Sequence, residues 1–262
     1  MKQEHVAIAE PRARQVASQP VPAIWNCLNE VIRSRHSIRA YRDKPVTAGV
    51  IREILETSSY APSGANAQPW RVHLLGQSAI HRVEQAVIAT EVPPHRAVSE
   101  NFKYYPDRFL EPYKSRRSEI GAALYQTLGI GRRDVQRMRS QFMKNYRFFG
   151  APVGLIVTMS RHLETGMFLD LGMFLQNVML CARAKGLDTC VQAAFAPYDQ
   201  AIRNAIPIPE DEFVVCGMAV GHRDPASLEN RLQSPRAPLE SWLTSHVENA
   251  EESICDLQTG KR

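Results

Sequence analysis

Apolar residues recur along this chain in patterns typical of helices. In residues 24–33 and 50–55 they are spaced three or four positions apart, and Thr47 precedes the second stretch as an N-cap would. Residues 167–185 carry a wider apolar face and stop before Gly186, a residue suited to closing a helix. These patterns predict three helices.

Shorter apolar runs, bounded by Gly, Pro or polar residues, predict strands. They cover residues 71–75, 152–159, 189–194 and 213–220. Strands and helices are interspersed along the chain, and no internal repeat is present. The sequence therefore predicts an α+β sandwich.

Two parts of the chain lack these patterns. Residues 1–20 are polar and aperiodic, which predicts a flexible N-terminal arm that wraps a partner subunit. Residues 93 to about 145 are rich in Arg, Tyr and Phe, with short helical stretches and no strand signal, which predicts a helical insertion over the core. We expect one domain over residues 21–245 and a C-terminal tail over residues 246–262.

The composition indicates a globular protein of one domain and argues against nucleic-acid binding and membrane spanning. The chain has 262 residues, 44% of them hydrophobic, which is enough for the core of one domain. Its 32 Lys and Arg exceed its 27 Asp and Glu, but the net charge of +5 is dispersed, which argues weakly for anionic ligands and against nucleic acid. The five cysteines are scattered without a C-x-x-C pair, and no apolar stretch is long enough to span a membrane. We expect a reduced, cytoplasmic protein without a structural metal or a membrane partner.

Three segments carry candidate chemistry, and each has an ordinary structural alternative. Residues 35–39, RHSIR, place two guanidiniums and a hydroxyl after a helix, which suits a phosphate but also a solvated basic turn. Residues 62–70, PSGANAQPW, offer side-chain amides and accessible backbone N–H groups, which suit the edge of a flat heterocycle but also a simple turn. Residues 189–194 leave a buried strand with small side chains, as a structural strand end would.

The three segments together resemble one family. Over roughly residues 30 to 240 the chain resembles the nitroreductase family. The resemblance rests on R-H-S-x-R, on A-P-S-G-x-N-x-Q-P-W, on a long helix ending in GLDTC, and on a C-terminal VVCGMAVGHRDP followed by SPR. The insertion and the strand end look most like its nitrobenzoate reductase group. The resemblance implies a mostly antiparallel central sheet flanked by helices. It also implies a homodimer that binds FMN and uses NADH or NADPH to reduce nitroaromatic compounds by a ping-pong mechanism.

The resemblance also implies roles for individual residues. Arg35, Ser37 and Arg236 hold the FMN phosphate, His36 offers its backbone, and Arg39 lies toward the ribityl chain and the N1/O2 side of the ring. The second subunit contributes Pro62, Ser63, Gly64 and Asn66, and the ring near N5 and O4 is lined by Gln192, Ala193 and Ala194. Flavin N5 carries the chemistry, so no catalytic side chain is expected.

Two departures from better-known members bear on these roles. Ser234 stands where some members carry a second phosphate-binding Lys, and Gln192–Ala193 stand where some carry a Glu-Gly pair beside N5. In the insertion, aromatic residues alternate with arginines, either as a structural cover or as a surface that stacks on a planar substrate and pairs with its anionic substituent.

Several other functions stay open from the sequence alone. On the same fold, reductive dehalogenation or the reduction of quinones or enones would keep the FMN site. A non-enzymatic flavin-binding protein would bind FMN without oxidising NAD(P)H, and a basic interaction module would bind no flavin. Motifs of dinucleotide-binding Rossmann folds, P-loops, α/β-hydrolases and zinc proteases are absent.

Overall fold

A computed structural model describes residues 22–92 and 97–246 of the chain. The predicted N-terminal arm and the predicted tail after residue 246 lie outside the described residues.

The described residues form seven α-helices and four strands. In chain order these are α1 (Pro22–Ser34), α2 (Ala48–Ser58), β1 (Arg71–Leu75), α3 (Gln77–Ala89), α4 (Tyr113–Thr127), α5 (Val135–Met143), β2 (Val153–Ser160), α6 (Met167–Ala184), β3 (Asp188–Gln192), α7 (Asp199–Ala205) and β4 (Glu212–Gly221).

The predicted helices and strands are confirmed, with local differences. Thr47 caps α2 through its side-chain oxygen, which accepts a hydrogen bond from Val50 N. Gly186 follows α6 with φ +73°, a left-handed conformation that costs glycine little. The third predicted strand ends at Gln192, because the chain turns into a 3-10 helix over Ala193–Tyr198. The hydrophobic pattern did not predict α3 and α7.

The four strands lie in the order β1-β2-β4-β3, and every neighbouring pair is antiparallel. Helices cover both faces, which explains why β2 and β4 are almost continuously buried. On one face, Ile54 of α2 and Phe174 of α6 belong to the cluster that includes Cys216 of β4. On the other, Val83 of α3 and Ile202 of α7 join the second cluster. This confirms the α+β sandwich with a central antiparallel sheet.

One close contact fixes the end of β3 against the sheet. The 3-10 helix after β3 buries Phe195 directly over Gly217 of β4. A Cβ added at Gly217 would lie 2.3 Å from Phe195 Cδ2, far inside contact distance. Glycine at this position therefore allows the residues that follow β3 to pack against the sheet.

The segment that precedes β2, residues 97–145, contains α4 and α5 but no strand. No residue of α4 is buried. The segment contacts the rest of the fold near both of its ends. Phe102 packs on Phe168 and Phe213, with ring centroids 4.9 and 6.0 Å apart, and Lys144 Nζ contacts Glu229 Oε1 at 2.5 Å.

Candidate functional site

The 35–42 segment lies along the outer edge of β3. Ser37 forms a parallel bridge with Thr189, and Ile38 N donates to Thr189 O at 3.1 Å. The Ile38 side chain is buried, and Tyr41 bridges to Arg223 after the end of β4. These backbone contacts hold the predicted phosphate segment in an extended conformation beside the sheet.

Asn230 secures the same segment from the C-terminal side. Its Oδ1 accepts from Arg39 N at 2.8 Å, and its Nδ2 donates to Ala40 O and Asp224 O, both at 2.8 Å. Sequence reasoning missed this residue, because the contact joins positions 191 residues apart and no local pattern marks it.

The structure brings Arg35, His36 and Arg236 into one electrostatic cluster. Partial burial lowers the pKa of Arg35, and the nearby charge of Arg236 lowers it further. Partial burial also lowers the pKa of His36, helped by the positive charges of Arg223, Arg35 and Arg236. His36 is therefore neutral at neutral pH. Positively charged groups that lower one another's pKa are close enough together to stabilise a bound anion.

Ser37 and Arg39 belong to the same cluster through Cys190 of β3. Burial raises the pKa of the Cys190 thiol, while the charges of Arg39 and Arg35 and a hydrogen bond with Ser37 oppose that rise. Four of the predicted flavin-binding residues thus lie around the start of β3, namely Arg35, His36, Ser37 and Arg39. Arg236 completes the set from a loop stabilised by its hydrogen bonds to Ser234 and Pro235.

A buried carboxylate, which sequence reasoning also missed, supports this cluster. The Asp188 side chain is 3% exposed and contacts Arg183 of α6 at 3.3 Å and Arg223 at 2.5 Å. Arg223 also donates through Nε at 2.7 Å. Among the described residues, neither Arg35 nor Arg236 has a carboxylate partner of this kind. Asp188 therefore neutralises Arg183 and Arg223, whereas Arg35 and Arg236 keep their positive charges without such a partner among the described residues.

The 62–70 loop is held by different elements. Asp170 in the first turn of α6 accepts a hydrogen bond from Gly64 N at 3.0 Å. Trp70 stacks on Phe174 with ring centroids 4.8 Å apart. Pro62, Gly64 and Asn66 are exposed, and Ser63 is partly exposed. The predicted loop residues therefore stand at the surface, anchored on α6 rather than on β3.

The backbone of this loop is strained. Ala65, Asn66 and Gln68 have φ values of 49°, 56° and 48°, in the left-handed region that non-glycine residues avoid. Ser63 Oγ accepts from Gln68 N at 3.0 Å, which helps to hold that shape. Strain of this kind concentrates where a loop presents its backbone to a ligand.

The end of β3 presents small residues. Gln192 is buried, and its Nε2 donates to Asn145 O at 2.7 Å, so its amide points into the protein. Its Oε1 is buried and finds no hydrogen-bond partner among the described residues. Ala193 and Ala194 are partly exposed. The surface just after the end of β3 therefore includes these two alanines, and Gln192 links β3 to the 97–145 segment.

These features define an α+β protein whose sheet edge combines a cationic cluster with a small-residue strand end, a combination suited to a phosphorylated ligand with a flat ring. The model of the nitroreductase family matches residues 32–222. The chain belongs to the nitroreductase family, as its sequence motifs predict.

Individual relatives are similar over most of their length. The nitrobenzene nitroreductase of Ectopseudomonas oleovorans is 35% identical over 217 residues, which cover 83% of this chain and 96% of that protein. The 4-nitrobenzoate reductase of Nocardioides sp. (strain LMS-CY) is 34% identical, with 86% and 91% covered. The crystal structure of the FMN and NADPH-dependent nitroreductase NfnB from sphigopyxis sp. strain HMH superposes with a TM-score of 0.80 at 35% identity, covering 84% of this chain and 99% of that one.

The residues present fit FMN. Two guanidiniums without carboxylate partners among the described residues, together with the Ser37 hydroxyl, form a donor set that suits a phosphate. No group of side chains among the described residues could hold a metal ion. Within that same part of the chain, no helix is long and apolar enough to cross a membrane.

Proposed function

We propose that this chain is an FMN-dependent oxidoreductase that uses NADH or NADPH to reduce nitroaromatic compounds. The observation that carries the proposal is the cationic cluster of Arg35, His36, Ser37 and Arg236 at the edge of β3, in a chain of the nitroreductase family. Bound FMN supplies the acceptance and donation of hydride, and the protein supplies binding, orientation and charge.

Each residue of the cluster has a defined task in this proposal. Arg35 and Arg236 bind the phosphate oxygens, and the Ser37 hydroxyl donates a further hydrogen bond. His36 contributes its backbone, and its side chain stays neutral because partial burial, helped by the surrounding arginines, lowers its pKa. Arg39 supplies positive charge toward the flavin ring, where it stabilises added negative charge. Ala193 and Ala194 leave room for a flat ring and substrate beside the strand end.

The proposal includes a C2 homodimer, with the 62–70 loop of one subunit completing the flavin site of the other. In a C2 dimer each surface is used twice, so two segments anchored on different elements can meet at two equivalent sites. The exposed apolar residues of α1 support an interface with a second copy. Ile24 and Trp25 are 64% and 66% exposed, and no α1 residue is buried. A second copy would cover this amphipathic helix.

A cytoplasmic location belongs to the same proposal. Cys27, Cys181, Cys190 and Cys216 are free thiols, as expected in a reducing compartment.

One preparation of the purified full-length protein tests the proposal. We expect visible flavin absorption that is bleached anaerobically by NADH or NADPH and restored by nitrobenzene. Sedimentation at micromolar concentration should give a dimer with one FMN per subunit. Arg35→Ala or Arg236→Ala should weaken FMN binding about 10- to 100-fold, since each removes one charge-assisted phosphate contact.

Arg42→Ala is the matched control, because Arg42 lies in the same segment but outside the cluster around Arg35 and Cys190. It should bind FMN as the wild type does. A colourless protein, or unchanged affinity in both cluster variants, would refute the flavin site. Bound FMN that NAD(P)H does not reduce would indicate a flavin-binding protein without this activity, and a flavin-loaded monomer would refute the shared site.

A further inference from the structure

Tyr104, Tyr105 and Phe109 form an aromatic cluster at the surface. Tyr104 meets Tyr105 edge-on with ring centroids 4.7 Å apart, and Tyr105 contacts Phe109 at 5.7 Å. Tyr104 and Tyr105 are 60% and 54% exposed. Aromatic side chains that cluster together at the surface, without being buried by the fold, are a feature of binding sites.

A guanidinium is held over this cluster without being neutralised. Arg117 Cζ lies 5.4 Å from the Tyr105 ring centroid and 4.8 Å from that of Phe109. Such cation–π contacts orient the charge and leave its N–H donors free. Among the described residues, Arg108 and Arg117 have no carboxylate partner, whereas neighbouring Lys103 is paired with Asp107 at 2.6 Å. Arg117 therefore presents a fixed positive charge beside two ring faces.

The same residues line an open pocket at the surface. It has a volume of about 450 Å³ and is lined by Tyr105, Phe109, Arg108, Lys114 and Arg117, together with Pro106 and the paired Asp107. Small-molecule sites range from roughly 300 to 1,000 Å³, so one substituted benzene ring fits easily. Ring faces select a planar ligand, and the cations select one that carries a negative charge.

We propose that this pocket binds planar aromatic carboxylates, with the ring against Tyr105 and Phe109 and the carboxylate on Arg117. The inference rests on the proposed function only in expecting a nitro group on the ligand. The pocket itself recognises the aromatic ring and its carboxylate. Arg117 is then the residue that selects aromatic carboxylates over neutral aromatic rings at this pocket. Hydrogen bonds from a planar guanidinium to a carboxylate are bidentate, so lysine would replace arginine incompletely.

Equilibrium binding to the FMN-loaded protein, without NAD(P)H and therefore without turnover, tests the proposal. Titration calorimetry would compare 4-nitrobenzoate, benzoate and nitrobenzene. We expect Arg117→Ala to weaken both carboxylates at least about 10-fold and nitrobenzene less than about twofold, with Arg117→Lys intermediate. Arg137→Ala is the matched control, since Arg137 lies in the same segment but bonds to Leu128 O and Gly129 O outside the pocket.

The possible results separate the two proposals. Equal losses for carboxylates and nitrobenzene would assign Arg117 a structural role and overturn the inference, as would unchanged carboxylate binding in Arg117→Ala. FMN content and NAD(P)H-dependent flavin reduction should match the wild type in every variant. If the wild type shows neither FMN binding nor flavin reduction, the proposed function fails, while the same titrations on the protein as purified still decide whether the pocket selects aromatic anions.

Discussion

Two regions of this molecule gather positive charge, and they hold it in different ways. Around the start of β3, the 35–42 segment is bridged to Thr189 and Arg223, and buried Asp188 fixes two structural arginines. In residues 97–145, Arg117 rests on the rings of Tyr105 and Phe109, and no residue of α4 is buried. The first arrangement is fixed by backbone and buried charge, and the second by side-chain contacts at the surface.

The difference matches the ligands that each region is proposed to take. A phosphate group has the same shape in every catalytic cycle, so its donors can be fixed in advance. A donor set that is already ordered in the folded protein loses little further entropy when the ligand binds. Aromatic substrates vary in size and substituents, so side chains on an exposed segment can adapt to them. The regions should therefore respond differently to mutation. Substitutions near β3 should lower the free energy of unfolding of the whole domain. Substitutions in residues 97–145 should affect only the structure around them.

The largest expected effect is that of Asp188→Asn. This change leaves the guanidiniums of Arg183 and Arg223 beside a neutral amide. Breaking a buried ion pair costs about 3–5 kcal/mol, but both arginines are about one-third exposed, and we expect the free energy of unfolding to fall by about 2 kcal/mol. Urea denaturation at one fixed protein concentration measures it.

Glu53→Gln provides the matched control for Asp188→Asn. It removes the carboxylate that pairs with Lys185 at 2.6 Å, but the Glu53 side chain is 60% exposed. Its effect should stay below about 0.5 kcal/mol. Similar losses in both variants would mean that burial of Asp188 adds nothing to the rigidity of the first region.

An intermediate effect is expected for Glu229→Gln, at the junction of the two regions. Burial opposes ionisation of Glu229, but hydrogen bonds from Lys144 and Ser227 outweigh it and lower its pKa below the ordinary value of 4.5. The ionised group therefore stabilises the fold fully above that pH, and the contribution is lost as pH falls through the lower folded-state pKa.

We expect Glu229→Gln to cost about 1 kcal/mol at pH 7, since Lys144 is nearly half exposed. The difference from the wild type should shrink as the pH falls through the folded-state pKa, and urea denaturation across that range measures it. Asp107→Asn, which breaks an exposed pair with Lys103, should show little effect at either end. A difference for Glu229→Gln that grows toward acid would contradict the assigned sign.

The smallest effect is expected for Arg137→Ala within residues 97–145. Arg137 donates to Gly129 O at 3.0 Å and Leu128 O at 3.2 Å, which joins the end of α4 to α5. Its loss should change the free energy of unfolding by less than about 0.5 kcal/mol. Hydrogen exchange should rise around residues 128–143 and stay unchanged in β2 and β4. Faster exchange in the sheet would show that the two regions open together.

The sequence predicted what depends on local pattern. Periodicity located α1, α2, α6 and all four strands, and the Thr47 cap follows from a rule about helix starts. It missed α3, where Gln, His and Glu interrupt the apolar stripe although Val83 and Val87 are buried. The pairing of Arg35 with Arg236 follows from the resemblance to the nitroreductase family, because such a resemblance carries distant contacts that periodicity does not.

The supporting residues of the site could not be predicted. Asp188, Asp170 and Asn230 act through partners that the fold brings close, and their sequence neighbourhoods look ordinary. The inward direction of the Gln192 amide depends on Asn145, which lies 47 residues away. Such contacts require the three-dimensional arrangement, because nothing in spacing or composition distinguishes a buried carboxylate from a solvated one.

The burial of Cys216 has a consequence for the chemistry of the sheet. Its surroundings raise the pKa of the thiol to about 12. At pH 7 only about one molecule in 100,000 then carries the thiolate, which is the form that oxidants and alkylating reagents attack. The central sheet thus holds a cysteine that is almost inert toward such reagents. Modification of Cys216 would report transient opening of the sheet rather than the reactivity of the surface.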